Sequence, residues 1–124
     1  MAEAGLKLRT GCPNGDWRSF PTVAGSGGVT RGQMCQIHDT VGVYAQNADV
    51  GADVAFIYHA EKIVVPKLVG TTEVFDPGDK VFYSVADAKV TATEGANLWI
   101  GIALEAALAA DTEIKIDLLG NKAD

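Results

Sequence analysis

The segment formed by residues 75–119 constrains the fold more than any other part of the chain. It opens with a turn sequence, Asp76-Pro77-Gly78-Asp79, in which proline fixes φ at the second position and glycine tolerates the positive φ of the third. Near its end apolar and charged side chains alternate, which is typical of a strand with one buried face: Ile114, Lys115, Ile116, Asp117 and Leu118. The segment therefore predicts short strands joined by tight turns.

A single glycine interrupts the apolar run at residues 99–105 of the same segment. In a regular strand Gly101 would lower stability, because it has no side chain to pack and its backbone loses more freedom on folding. Gly101 therefore predicts a β-bulge or a close approach of another backbone.

The rest of the chain reads in the same way, as short apolar runs between turn-rich links. Residues 60–62 are predicted to turn one strand back into the next, and Pro66 to end that pairing, since proline cannot donate to a ladder. Residues 68–74 and 105–110 are predicted to be connections with at most a single helical turn. The predicted strands are residues 6–9, 34–37, 41–45, 54–59, 63–65, 81–83, 89–91, 98–103 and 114–118.

These patterns predict an all-β domain, a small β-barrel or β-sandwich of roughly eight or more strands, with no helix longer than about two turns. A short internal repeat supports a duplicated layout, because three motifs of the first part of the chain have counterparts in the same order in the second part. Gly32-Gln33 corresponds to Gly78-Asp79, Val41-Gly42-Val43 to Ile100-Gly101-Ile102, and Asp53-Val54 to Thr112-Glu113. The side chains predicted to be buried are Val54, Phe56, Val81, Tyr83, Ile100, Ile102, Ile114, Ile116 and Leu118.

Residues 1–21 are the least regular part of the chain, and we predict an N-terminal arm there, followed by a β domain at residues 22–124. Asn14-Gly15 and the neighbouring prolines break any long element. The arm carries Trp17, Arg18 and Phe20, which are residue types favoured as anchors at interfaces. Either the two rings complete the subunit's own core, or the arm docks on a partner. These three residues are the candidate partner-binding site.

Composition and charge exclude several classes of partner. The 124 residues are enough for one domain with a core of its own, and the net charge of −6 argues against binding to a phosphate backbone. The chain has neither an apolar run long enough for a membrane helix nor the apolar centre of a signal peptide. We therefore expect synthesis in the cytoplasm and neither a nucleic-acid nor a membrane partner.

No motif supports catalysis, a metal or a cofactor. Cys12 and Cys35 are the only cysteines, and a bridge between them is not expected in a reducing compartment. Cys35 and His38 with His59 form only a weak metal pattern, because no second ligand pair accompanies them. The glycine-rich residues 25–28 lack the lysine of a phosphate-binding loop. The aspartates sit where turns favour them.

The order of several short motifs resembles the phage capsid cement family of small head-decoration proteins. The motifs are VTRGQ at residues 29–33, VGVYA at 41–45, VVPK at 64–67, PGDKVFY at 77–83, IGIALE at 100–105 and IKIDLLG at 114–120, so that the resemblance covers about residues 22–119. It implies an all-β subunit that binds the outside of a capsid shell as a small oligomer.

Two functions follow as hypotheses. The first is a cement protein of the virion exterior that binds the major capsid protein, as a homotrimer or alternatively as a dimer. The second is a carbohydrate- or receptor-binding β module of a virion appendage. The second needs exposed aromatic side chains along a groove, for which the candidates are Trp17, Tyr44, Tyr58, Tyr83 and Trp99.

Overall fold

The computed structural model of the chain describes residues 10, 11, 13–95 and 97–122. Every regular element among these residues is a β-strand, so the all-β prediction is confirmed. The predicted strand at residues 6–9 and Cys12 lie outside the described residues. The strands are β1 (Asn14–Val23), β2 (Met34–Ile37), β3 (Thr40–Tyr44), β4 (Asp53–Pro66), β5 (Lys80–Ser84), β6 (Lys89–Thr91), β7 (Leu98–Ala103) and β8 (Glu113–Lys122).

All the strands join in one antiparallel sheet that is nearly closed into a barrel. Its order is β2-β3-β4-β8-β7-β5-β6, and β1 pairs with β4 in addition. The far edge returns to β4, because Val90 of β6 bridges Lys67 and the Leu68 N–H donates to the Val90 carbonyl at 2.9 Å. This contact leaves little free edge at β6, as a small barrel requires.

Strand β4 corrects the prediction of a turn at residues 60–62, since it runs without reversal for 14 residues. Ala60 pairs with Leu118 of β8 and Ile63 with Ile116, so that β4 uses one residue more than β8 over this stretch. Glu61 and Lys62 are both exposed there, between the buried Ala60 and Ile63. The polar pair therefore marks a β-bulge, which places two consecutive residues outward without reversing the chain.

Strand β1 corrects part of the predicted irregular arm. Residues 14–21 lie in a strand that pairs antiparallel with β4 from Asn14↔Lys62 to Val23↔Asp53. The pairing has two register shifts, between Asn14 and Trp17 and between Arg18 and Ser19. Pro21 is accommodated because β1 uses only one edge for its ladder. Residues 1–9 lie outside the described residues, so the arm stays a prediction for them.

The backbone pairing confirms the duplicated layout. We call β1, β2, β3 and residues 53–58 the first half, and residues 60–66 with β5 to β8 the second half. The two halves repeat the same cross-strand row, Phe20–Phe56–Tyr44 in the first and Ile63–Ile116–Ala103 in the second. In each half two loops are also joined by a pair of backbone hydrogen bonds, between Val29 and Ala48 in the first half and between Phe75 and Ala107 in the second. Strand β4 thus ends one half and begins the other.

The sheet of each half has two faces. The front face carries this row of residues and is covered by the bridged loops. The back face is the opposite side of the same strands. The main core joins the back of the first half, with Met34, Val41, Val43 and Ile57, to the front of the second half, with Ile63, Phe75, Ile114 and Ile116. The halves are therefore stacked in tandem.

Of the side chains predicted to be buried, Ile102 alone is only partly buried, because it lies on the back of the second half.

Candidate partner-binding surface

Strand β1 carries the three residues predicted to bind a partner, and they differ in their exposure to solvent. Trp17 is 48% exposed, and Arg18 is exposed opposite His59 of β4. Phe20 is half-buried on the front of the first half. Trp17 and Arg18 are therefore both exposed to solvent, on opposite faces of β1, whereas Phe20 contributes mainly to the subunit's own packing.

Phe20 belongs to a group of aromatic rings that pack against one another. Its ring centroid lies 5.4 Å from that of Phe56 and 5.7 Å from that of Tyr58, and Tyr44 packs edge-on against Phe56 at 5.3 Å. Ala24, Tyr44, Val54 and Phe56 form the buried centre of this second, smaller cluster. Its rim is only partly buried: Phe20, Val29, Cys35, Ile37, Ala48 and Tyr58.

Sequence reasoning missed the rim residues Cys35 and Ile37 as surface, and it considered Tyr58 only as a candidate ring of the carbohydrate-binding hypothesis. The signal was present in β4, where Phe56, Ile57 and Tyr58 are apolar or aromatic in succession. Successive residues of a strand point to opposite faces, so such a run requires cover on both sides of the sheet. The main core covers the back of the first half, and the bridged loops cover only part of its front.

The back of the second half is polar where the back of the first half is apolar. By register, Lys80 takes the place of Met34, Ile102 that of Val43 and Asp117 that of Ile57. The Lys80 ammonium lies 4.7 Å above the Trp99 ring, a favourable cation–π contact. Burial raises the pKa of Asp117, and the neighbouring His59 partly opposes this rise. This face is suited to water.

A buried polar group ties the barrel closure together. The Lys67 ammonium donates to the carbonyls of Leu68 and Asp111 at 2.8 and 3.1 Å. The Glu73 carboxylate accepts from the Thr91 hydroxyl and from the Ala92 N–H, both at 2.8 Å. Burial lowers the pKa of Lys67, and the carboxylates of Asp111 and Glu73 oppose this. Each group has hydrogen-bond partners nearby, so the arrangement fastens the loops at the barrel closure.

The described residues show neither a metal-binding cluster nor a membrane-spanning helix. They contain no group of three or more His, Cys, Asp or Glu side chains placed to hold a metal ion. Cys35 carries a free thiol. Within the same part of the chain, no helix has the length and apolar character needed to cross a bilayer.

The carbohydrate-binding hypothesis finds little support in one open groove of the surface. This groove, of about 720 Å³, is lined by residues 27–30 and 47–50, none of which is aromatic. Of the candidate rings, Tyr44 and Tyr83 are buried, and Tyr58 and Trp99 pack against neighbours. Trp17 is the candidate ring that stands well out in solvent, and a glycan platform usually needs more than one.

Comparison with known proteins identifies the family. No curated protein and no solved structure matches the chain. A family model described as phage cement protein matches residues 15–118, which is most of the 124-residue chain. The match begins at the start of β1 and so includes Trp17, Arg18 and Phe20. Together with the nearly closed β-barrel, it identifies this chain as a member of the phage cement protein family.

Proposed function

We propose that this protein binds the outer surface of a phage capsid, contacts the major capsid protein and stabilises the assembled shell. Membership of the cement family over residues 15–118 carries the proposal. The net charge of −6 is consistent with a position outside the shell, away from the packaged genome. The protein would be made in the host cytoplasm and would act without a cofactor, by contact alone.

The outward side chains of β1 are suited to be one of the contacts. Trp17 leaves about half of its surface in water, and burying that surface against a partner would contribute roughly 3 kcal/mol. Arg18, the next residue of β1, can pair with a carboxylate of the shell through two parallel hydrogen bonds. Phe20 supports the surface from within, because it fixes β1 on Phe56 and Tyr58.

Oligomerisation would multiply such contacts. We propose a homotrimer, since capsid lattices offer threefold and quasi-threefold positions, with a dimer at twofold positions as the alternative. When linked subunits grip several capsid proteins at once, the second and third contacts form at high effective concentration. Neighbouring capsid proteins could then separate only after several contacts had broken.

The experiment is a binding titration on purified heads from which the protein has been removed. Wild-type protein should rebind to saturation in stoichiometric amounts, should be accessible to antibody on intact heads, and should raise the temperature at which heads release DNA. Native mass measurement of the material on the shell would give the number of linked subunits. Failure of the wild-type protein to rebind would contradict the proposal.

A pair of variants tests the β1 surface separately. Trp17→Ala should reduce head binding while the melting temperature stays nearly unchanged, because half of this ring is already in water. Val85→Ala is the matched control, since Val85 is a 63% exposed apolar residue in the loop after β5. Equal binding by Trp17→Ala and Val85→Ala would remove Trp17 from the contact.

A further inference from the structure

We propose that the front face of the first half is a docking face for an uncharged, apolar surface of the capsid shell. The inference rests on the proposed function and assigns the contact to a surface that extends from β1 across β4 and β3 to β2. The internal duplication carries it, because the second half shows the same face in its covered state.

Burial differs between the halves at equivalent positions. Ile63, Val81 and Leu118 of the second half are fully buried in the main core. By register and spacing they correspond to Phe20, Cys35 and Tyr58 of the first half, each of which is only partly buried. The same backbone thus carries a sealed face in one half and an incompletely sealed face in the other.

The cover on the second half is an apolar sheet face. The back of the first half, with Met34, Val43 and Ile57, lies against the front of the second in one continuous core. The first-half front has only its bridged loops as cover, and its central residues are aromatic or apolar: Phe20, Ile37, Tyr44, Val54, Phe56 and Tyr58. None of these side chains is charged, although the chain as a whole has a net charge of −6. The chemistry of the surface that fits the centre of this face is therefore apolar and uncharged.

A second copy of the chain stacked in the same tandem manner does not supply that surface. Its free back face carries Lys80 and Asp117 where the covering face of the first half has Met34 and Ile57. Stacking would bury an ammonium and a carboxylate against rings that cannot pair with them, which is unfavourable. These two charges block end-to-end growth and leave the first-half front to a different protein.

The first test places a charge on the rim. Ile37→Lys puts an ammonium on the partly exposed edge strand of this face, and Leu108→Lys makes the same charge change at a 68% exposed apolar residue elsewhere. Both variants should melt close to the wild type. Ile37→Lys should bind stripped heads about tenfold more weakly or worse, because docking would bury an unpaired charge. Leu108→Lys should bind as the wild type does.

The second test uses the thiol of Cys35, which lies on the rim of the same face. In a Cys12→Ser background, Cys35 should react with a maleimide in the free protein and should be protected on heads by about tenfold or more. Equal labelling on and off heads would overturn the inference, as would unchanged binding of Ile37→Lys.

Two further outcomes identify which proposal has failed. Suppose that the free protein is a dimer, with Cys35 protected at high concentration, and that Ile37→Lys makes it monomeric. The face is then covered by a second copy turned front to front, and the inference is wrong although the proposed function stands. If wild-type protein does not rebind to heads at all, the proposed function itself fails and the inference fails with it.

Discussion

At the scale of single residues, two equivalent glycines show how tightly the duplicated backbone is packed. Gly42 of β3 and Gly101 of β7 occupy the same place in their halves, opposite Cys35 and Val81. A methyl group on Gly42 would meet the Ile57 carbonyl and the Phe56 ring, and on Gly101 it would meet the Asp117 carbonyl. The prediction from the sequence that Gly101 marks a bulge or a close approach is confirmed on both counts, since β7 uses one residue more between Gly101 and Trp99 than β5 uses between Val81 and Phe82.

Substitution of these glycines should therefore be costly. Gly101→Ala forces a carbon into a backbone carbonyl that cannot move without breaking the β7–β8 ladder, and the free energy of unfolding should fall by about 1–3 kcal/mol or more. Gly25→Ala is the control, because a methyl group there meets no atom within 4 Å. Urea denaturation of the two variants checks this. Equal stability would mean that the strand shifts to accommodate the methyl group.

Tyr83 gives the alkaline limit of stability a molecular cause. Burial in the core raises the pKa of Tyr83 to about 12. Above about pH 10 the unfolded chain ionises this group while the folded chain keeps it neutral, so the free energy of unfolding falls by up to about 1.4 kcal/mol per pH unit until pH reaches about 12. Below about pH 10 the full contribution of Tyr83 is present.

Tyr83→Phe removes this proton and should flatten the alkaline loss of stability. Denaturation midpoints of the variant and the wild type should run parallel from about pH 7 to 9 and diverge above about pH 10, with the variant falling less steeply. The lowered pKa of Lys67 acts in both proteins alike and cancels in the comparison. Parallel curves up to about pH 12 would show that Tyr83 ionises in the folded state as readily as in the unfolded one.

At the scale of elements, β4 shows what a pattern in the sequence can and cannot decide. Strands β2, β6 and β7 coincide with their predicted ranges. The pair Glu61-Lys62 predicted a turn, but a bulge also turns two consecutive residues outward, and only the pairing with β8 separates the two. In β1, Asn14-Gly15 and Pro21 predicted irregularity, and the long partner β4 overrides that local preference.

The predicted site was incomplete for a related reason. Trp17 and Phe20 are three positions apart, and such residues of a strand point to opposite faces, which an irregular arm gives no means to infer. Tyr58 and Ile37 read as ordinary core from their apolar neighbours. Their partial exposure depends on how much of the front face the loops cover, which is a property of the tertiary structure.

The bulge in β4 can be tested by deletion. Removing Glu61 leaves one outward residue between Ala60 and Ile63, so the inward side chains keep their register with β8 and the protein should fold with a lowered melting temperature. Removing Val64 from the regular part shifts the alternation between Ile63 and Val65, which are both fully buried, and should prevent folding. Near-ultraviolet circular dichroism distinguishes the outcomes. Equal damage by both deletions would mean that β4 has no bulge to remove.

At the scale of the whole molecule, duplication has not produced two domains. Strand β4 belongs to both halves, and the main core is built from the back of the first and the front of the second. Neither half has an independent core large enough to offset its chain entropy, because among the described residues the separate cluster of the first half has four buried members. The polar back of the second half and the partly covered front of the first are the two ends of this stack.

We therefore expect one cooperative unfolding transition, despite the internal repeat. Separating the halves would expose Ile63, Ile114 and Ile116 at roughly 2 kcal/mol for each side chain, together with the apolar residues facing them. That loss is comparable with the whole stability of a small domain, about 5–15 kcal/mol. Calorimetric and van't Hoff enthalpies should agree, and a fragment of residues 58–122 should be unfolded or aggregated by circular dichroism and sedimentation. Mixing this fragment with a fragment of residues 1–57 should restore structure only if the two parts of β4 can pair again. Two separate melting transitions in the intact chain would contradict the prediction, because they would show that the halves are stable without each other.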